Sequence, residues 1–413
     1  MIRNSLLYVS SSVFSKAVPF LLLPLFTNFL SPAEFGLFSI YQVILAFAIA
    51  VFGMSLQTSV TVNYFKLEGA KFSKYIGNIF IILLFNIALF FILIAILSGV
   101  KDSLFSIEIK YLYLLIPMVL INTIIEIYTS LLRNEQKAVK FFFVEISNTL
   151  LRFLAITVLI VLFNWGWESF PLGSLIGMCS IAFYSFYSIL KDYKIEFKFD
   201  KDNFFNILNL CIPLIPHTIG SMIIVMSDRL FIEKMVGMDA VGIYSVGFSF
   251  GMTLGLISDA FIKAWSPWFY NMMKKLDNKT KTKIVTFTYV YSFFIIISAF
   301  FVYIMASILI PLMTPVEYHG ATIYAFWIAL AYSIQGIYKI FFPYLVFFSK
   351  TKYLAISTGL AALISVSCNY FFINWFGAIG ATYSAIIAYL VSCSCVVFVA
   401  TRQIKLPWLF FKQ

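Results

Sequence analysis

The sequence predicts an all-α polytopic membrane protein: twelve transmembrane helices in two six-helix lobes, related by a pseudo-twofold axis along the membrane normal, with a V-shaped central cavity. Three observations predict it. Of 413 residues, 62% are hydrophobic and only 11% charged, against roughly a quarter charged in a soluble domain, and so few charges cannot cover a water-facing surface. Apolar stretches of membrane-spanning length alternate with lysine- and arginine-rich connections. The second half of the chain also repeats features of the first.

Composition excludes several classes. Cys179, Cys211, Cys368, Cys393 and Cys395 lie in or beside apolar runs without a C-x-x-C pair, so neither a disulfide scaffold nor a thiolate metal cluster is expected. With two histidines, His217 and His319, zinc catalysis is not expected, and the sequence assigns no metal site. A formal charge of +11 would suggest nucleic acid in a soluble chain; in a membrane protein it reports topology first, so no nucleic-acid partner is expected.

Unpaired backbone cannot face hydrocarbon, and the runs lack the ten-residue alternation of barrel strands, so they are read as helices. Met1-Ile2-Arg3-Asn4 leads into span 1 (8–30), too long for a signal-peptide core and expected to be retained. Pro19 and Pro24 bend it. Leu30-Ser31-Pro32 joins it to span 2 (36–62), and Lys66, Lys71 and Lys74 precede span 3 (76–98). Lys101 and Lys110 lie in the outward loop before span 4 (111–131). Arg133, Lys137 and Lys140 separate that span from span 5 (141–163), and Asn164-Trp165 leads to span 6 (171–190). The inward loop 191–205 carries Lys191, Lys194, Lys198 and Lys201 and precedes span 7 (206–227), bent by Pro213 and Pro216. Asp228-Arg229 reads as an anchor at its outer end. Span 8 (240–262), the basic loop 263–283 and spans 9 to 12 (284–310, 321–342, 354–374, 379–400) complete the chain.

Of the 29 Lys and Arg, 23 fall on one side of this arrangement, four (Lys101, Lys110, Arg229, Lys234) on the other, and Lys16 and Arg152 inside spans. The asymmetry places both termini in the cytoplasm. The outward loops are all short, the longest about 13 residues, so no external catalytic or receptor domain is expected; the two longest inward loops, 191–205 and 263–283, are charged but too small to fold alone, and function is expected between the helices.

The repeat aligns Leu30-Ser31-Pro32-Ala33-Glu34-Phe35-Gly36-Leu37-Phe38-Ser39 with Val236-Gly237-Met238-Asp239-Ala240-Val241-Gly242-Ile243-Tyr244-Ser245, an offset of 206. Arg133 to Lys137 pairs with Phe348 to Lys352 at 215, and Asn164-Trp165 with Asn374-Trp375 at 210. Six helices separate the copies, which gives both halves one orientation. The expected organisation is an N-lobe over 1–190, an inter-lobe loop over 191–205 and a C-lobe over 206–413.

An ionisable side chain at the bilayer centre costs about 2.5 to 3.5 kcal/mol, so each must face a partner, a cavity or the interface. Lys16 either snorkels to the cytoplasmic interface or lines the cavity. Arg152, mid-span, is too deep to snorkel; it either pairs with Glu145 or faces the cavity. Glu126 is a buried acid coupled to ion flow or an interfacial cap. Asp259 is expected to pair with Lys263 four residues on, while Lys339 reaches either the cavity or the interface. His217 hydrogen-bonds across a bent helix or lines the cavity. A cavity walled by Lys16 and Arg152 has the polarity to accept an anion, and a diphosphate is an anionic group that membranes often move.

These residues also carry a resemblance. Twelve spans with both ends inside, the repeated hinge around Glu34 to Ser39 and Val241 to Ser245, and Ser227-Asp228-Arg229 before the second hinge resemble the polysaccharide-export branch of the multidrug/oligosaccharidyl-lipid/polysaccharide exporter superfamily, and within it bacterial O-antigen flippases of the Wzx type. The resemblance implies that an undecaprenyl-diphosphate-linked O-antigen or polysaccharide repeat unit crosses from the cytoplasmic to the periplasmic leaflet of the inner membrane by alternating access. The implied partners are that lipid-linked oligosaccharide, membrane lipids and other polysaccharide-assembly proteins, with the transporter a monomer. No cofactor is implied beyond coupling to a proton or sodium ion, for which Glu126 and Glu145 are the candidates. The nearest alternative is a multidrug exporter of the same superfamily, which uses an acid in the amino-terminal lobe where span 1 offers Lys16. A major-facilitator signature is missing from Lys66 to Lys71. A membrane polysaccharide polymerase or acyltransferase is the rival of a different class; the first needs a large external loop and the second a buried histidine, for which only His217 could serve.

Overall fold

The structure, a computed structural model, describes residues 2–274, 277–350, 352–404 and 406–408. Among the described residues, twelve helical segments are long and apolar enough to cross a membrane. The chain divides into two compact units, Met1–Ile219 and Gly220–Gln413.

In the first unit, α1 (Ile2–Leu21) and α2 (Leu23–Phe29) form one interrupted span. Pro19 lies inside α1, and Pro24 occupies the first turn of α2, where its missing N–H costs nothing. α3 (Pro32–Phe52) opens on a capping box: Glu34 N–H donates to Ser31 Oγ at 3.3 Å while Ser31 N–H donates to the Glu34 carboxylate at 3.0 Å. Met54 and Ser55 adopt positive φ, so the expected span 36–62 stops at Phe52 and restarts as α4 (Leu56–Tyr64). α5 (Gly69–Ser98) leads through a two-residue hairpin and the single turn α6 (Ile109–Leu112) to α7 (Leu115–Asn134), α8 (Ala138–Phe163) and α9 (Ser169–Tyr193).

The segment 191–205, expected as a loop between lobes, is built into this unit. Residues 194–200 run extended across the start of α5. Ser73 Oγ donates to Lys194 O at 2.6 Å, Asn78 Nδ2 donates to Lys198 O at 3.0 Å, Asp200 N–H donates to Asn78 Oδ1 at 2.9 Å, and Lys74 pairs with Asp200 at 2.5 Å. Gly77 makes room for this strap, since a Cβ there would overlap Glu196 O and stand 2.9 Å from its carbonyl carbon. The strap delivers α10 (Lys201–Cys211), whose Ile207 and Cys211 are fully buried in a core with Leu56, Val60, Tyr75, Ile76 and Ile79. Pro213 ends α10, and α11 (Leu214–Met235) starts in the first unit and continues into the second.

The second unit continues with α12 (Met238–Gly251), α13 (Thr253–Lys274), α14 (Asn278–Met313), α15 (Ala321–Phe347), α16 (Lys352–Phe376) and α17 (Ile379–Gln403). Its core packs Trp265, Phe269, Ile340, Phe341, Tyr344 and Val396. At 36 residues, or about 54 Å, α14 exceeds the hydrocarbon thickness. Its Phe293, Phe294, Phe300, Phe301 and Ile304 are exposed, as a lipid-facing stripe requires.

The repeat is visible in backbone geometry. α3 begins at Pro32 and α12 at Met238, an offset of 206. The corner between α7 and α8 has Gln136 at φ 58° with Lys137 N–H donating to Leu132 O. The corner between α15 and α16 has Ser349 at φ 55° with Lys350 N–H donating to Leu345 O, the same six-residue closure. The offset between these corners is 213, where sequence matching gave 215. Asn164 (φ 52°) and Gly377 (φ 67°) are the left-handed residues closing α8 and α16, again 213 apart. Asn374-Trp375 is therefore three residues out of register with Asn164-Trp165: Trp375 is still helical, because here a glycine takes the turn that an asparagine takes in the first half.

Candidate functional site

Arg152 lies about 21 Å along α8 from its start, the middle of a 26-residue helix. What surrounds it follows from Gly173-Ser174-Leu175-Ile176-Gly177 on α9, where two glycines four apart share one face. A Cβ on Gly173 would stand 2.7 Å from the Ile156 Cα, and one on Gly177 would stand 2.5 Å from the Arg152 nitrogen. Without those side chains the two backbones approach closely, as in small-xxx-small membrane pairs. Ser174, fully buried between the glycines, then receives the Arg152 Nε–H at 3.1 Å. The guanidinium carbon lies 5.1 Å from the Phe170 ring centroid and 5.5 Å from that of Phe153. Phe38 of α3 packs edge-on against Phe170 at 4.3 Å, and Phe26 of α2 lies 6.3 Å from Phe153, so both walls are held from behind.

Among the described residues Arg152 makes no ion pair, so the expected alternative of a bond to Glu145 is replaced by one to Ser174. The two residues are seven apart on α8, but the Arg152 side chain turns towards α9. One turn before Arg152, Thr149 Oγ1 donates to Ser15 Oγ at 3.0 Å, tying α8 to α1 beside the exposed Lys16. The two cations singled out in the sequence thus stand on helices that pack together. Glu126 is half-buried and receives Asn122 Nδ2 at 3.0 Å. Glu126, Glu145 and Arg133 lie within electrostatic reach of one another.

In the second unit Asp259 of α13 pairs with Lys339 of α15 at 2.7 Å. Lys339 thus takes the place expected for Lys263: the approach of two helices supplies a partner that the spacing along one helix did not. His217 is exposed on α11. Asp228 and Arg229, expected as an outer anchor, are instead only 5% and 8% exposed. Asp228 Oδ1 accepts from the Arg229 backbone N–H at 2.8 Å and from its guanidinium at 3.2 Å, while Tyr244 OH donates to Oδ2. The Arg229 guanidinium lies 4.1 Å from the Phe248 ring centroid. Both carboxylate oxygens are thereby satisfied within the unit, as a buried charge requires.

On the lysine-rich face, a cavity of about 600 Å³ is lined by Tyr64, Phe72, Tyr193, Glu68, Asp192 and Glu196 among others. The Lys74 ammonium, followed by the Asn203 N–H, holds the Asp200 carboxyl below the usual carboxylate range.

A family profile described as polysaccharide biosynthesis protein matches residues 1–273. The chain belongs to that family. This family member is also similar to a protein of the Lsg locus of Haemophilus influenzae, 22% identical over 373 residues that cover 88% of this chain and 89% of that protein. Among solved structures it is similar to the lipid II flippase MurJ in an inward closed conformation, with a TM-score of 0.76 and 19% identity over 97% of this chain and 88% of that one. An inward-facing multidrug resistance MATE family transporter of the MOP superfamily gives a TM-score of 0.66 at 11% identity, over 97% and 95%. At these identities the likeness shows a shared fold: this family member is an all-α multi-pass membrane protein with twelve candidate membrane helices among its described residues, folded like those two transporters.

Proposed function

We propose that this polysaccharide biosynthesis protein is a flippase. Its cargo is an undecaprenyl-diphosphate-linked oligosaccharide repeat unit of an O-antigen or related polysaccharide. It carries that lipid from the cytoplasmic to the periplasmic leaflet of the bacterial inner membrane by alternating access, with both termini in the cytoplasm. One observation carries this reading: a guanidinium at the middle of a candidate membrane helix, fixed by a serine and two phenylalanines, has no carboxylate partner among the described residues. A cation held there at a cost of several kcal/mol is retained where an anion must pass. The family membership supplies the pathway, and the lipid-linked cargo supplies the anion.

In this mechanism the diphosphate meets Arg152 and Lys16 on α8 and α1, the sugars occupy the aqueous path, and the prenyl tail stays in lipid. Lys339 joins them only when its pair with Asp259 opens. Rearrangement of the lobes carries the head group outward; no bond is made or broken, so the activity is transport and not catalysis. Glu126 and Glu145, within electrostatic reach of each other and of Arg133, are suited to carry a coupling proton. His217 and Asp259 are the remaining candidates on the path. Membrane lipids and other polysaccharide-assembly proteins are the expected partners of a monomer.

The test in cells is Arg152→Ala. It abolishes surface polysaccharide while leaving protein level and membrane insertion intact; unchanged polysaccharide would remove Arg152 from the path of the diphosphate.

A further inference from the structure

A guanidinium offers two chelating edges: a side edge of Nε with one terminal nitrogen, and an end edge of both terminal nitrogens. Which edge meets an anion decides where that anion sits. On Arg152 the side edge is committed, because Nε–H donates to Ser174 Oγ at 3.1 Å. Ser174 cannot yield, being fully buried on α9 between Gly173 and Gly177, both in close approach to the α8 backbone. The rings of Phe170 and Phe153, at 5.1 and 5.5 Å, limit rotation of the group, and they are 1% and 6% exposed. The plane of the guanidinium is therefore fixed by residues that touch no substrate.

We infer that Ser174 is a positioning residue: by taking Nε–H it turns the two-nitrogen end edge of Arg152 towards the substrate, so that the anion recognised is a phosphoryl group held through two oxygens at once. This rests on the proposed role of Arg152 and adds to it both an orienting residue and a bidentate geometry. Two parallel N–H···O bonds to one phosphoryl group are stronger and more selective for geometry than a point charge. A lysine at 152 would supply charge without that geometry, and an alanine at 174 would leave the charge and release the geometry.

The experiment uses the purified full chain in nanodiscs, with undecaprenyl diphosphate and undecaprenol, which has the same tail and no phosphate, as the two probes. Binding is measured by native mass spectrometry, and thermal stability is recorded alongside. Ser174→Ala weakens undecaprenyl diphosphate binding by on the order of tenfold, the effect of one lost charge-assisted hydrogen bond, without changing undecaprenol binding. Ser174→Thr, which keeps the hydroxyl, returns binding to within about twofold. If Ser174→Ala does not accumulate, Ser174→Cys, which fills the site with a slightly larger atom, replaces the oxygen with a poor acceptor and gives the same loss. Diphosphate binding unchanged in Ser174→Ala or Ser174→Cys but lost in Arg152→Ala would overturn the positioning role and leave the cation's role standing. Binding unchanged in Arg152→Ala as well would overturn both. Equal loss for both probes would show that Ser174 acts on packing alone and would overturn the bidentate geometry.

Discussion

The close approach of α8 and α9 makes a sharp test of the site's construction, through alanine at Gly177. A Cβ there would stand 2.5 Å from the Arg152 nitrogen, and ordinary van der Waals contact begins near 3.4 Å. The two helices must part by about 1 Å, and overpacking of this kind costs about 1 to 3 kcal/mol. Glycine to alanine at an open helical position has the opposite sign, stabilising by about 0.4 to 1 kcal/mol. Gly359, exposed on α16, supplies that comparison, since a Cβ there would meet nothing within 4 Å. The assay is thermal inactivation of the detergent-solubilised full chain, read as the fraction surviving a fixed heating step, because membrane proteins unfold irreversibly and the rate is what is measured. Gly177→Ala lowers the half-inactivation temperature, Gly359→Ala leaves it unchanged or raises it, and Gly173→Ala behaves like Gly177→Ala. If Gly177→Ala were as stable as the parent, α8 and α9 would not be in backbone contact, and the burial of Ser174 beside Arg152 would lose its cause.

Other expectations concern the second unit and the strap. Asp228→Ala removes the carboxylate paired with a guanidinium that is 8% exposed and is expected to cost about 3 to 5 kcal/mol, seen as lost accumulation in the membrane; Asp228→Ala with Arg229→Leu recovers most of it. Gly77→Ala displaces the Glu196 carbonyl from α5, so limited proteolysis cuts within 194–200 at least several-fold faster than in the parent. Because the Asp200 carboxyl is held below its ordinary value, its bond to Lys74 contributes fully above that value and is lost as pH falls through the lowered one. Strap cleavage in the parent is therefore constant from about pH 5.5 to 8, and Asp200→Asn raises it at every pH in that window.

The helices and their breaks were legible because hydropathy, positive charge and proline act locally. Pro24 and Pro213 mark interrupted spans wherever the rest of the protein goes, and Ser31 with Glu34 writes a helix start into four residues. The stop at Met54 and Ser55 was not legible, since neither residue type favours the left-handed backbone found there. At the site, depth singled out Arg152, but partners lie across helices. Ser174 could have been found from the glycines at 173 and 177, whose four-residue spacing marks the face that meets another backbone. Lys263 was an attractive partner for Asp259 by spacing, and lost to Lys339 because Asp259 turns towards α15. Asp228-Arg229 was misplaced for a related reason: an ionic pair at the end of a hydrophobic run looks like an anchor until a tyrosine on the next helix closes over it. The lysines of 191–205 mark a charged loop, but not that its backbone over 194–200 is held against α5 through Ser73 and Asn78.

The most direct test of the central claim is transbilayer movement itself. Full-length protein is reconstituted into proteoliposomes carrying a fluorescent undecaprenyl-diphosphate-linked oligosaccharide, and arrival of the sugar in the opposite leaflet is read by quenching from outside. The parent protein accelerates movement over protein-free vesicles, Arg152→Ala falls to the protein-free rate, and Arg152→Lys recovers only a small part of it. Equal rates in the parent and Arg152→Ala would contradict passage of the diphosphate along this guanidinium.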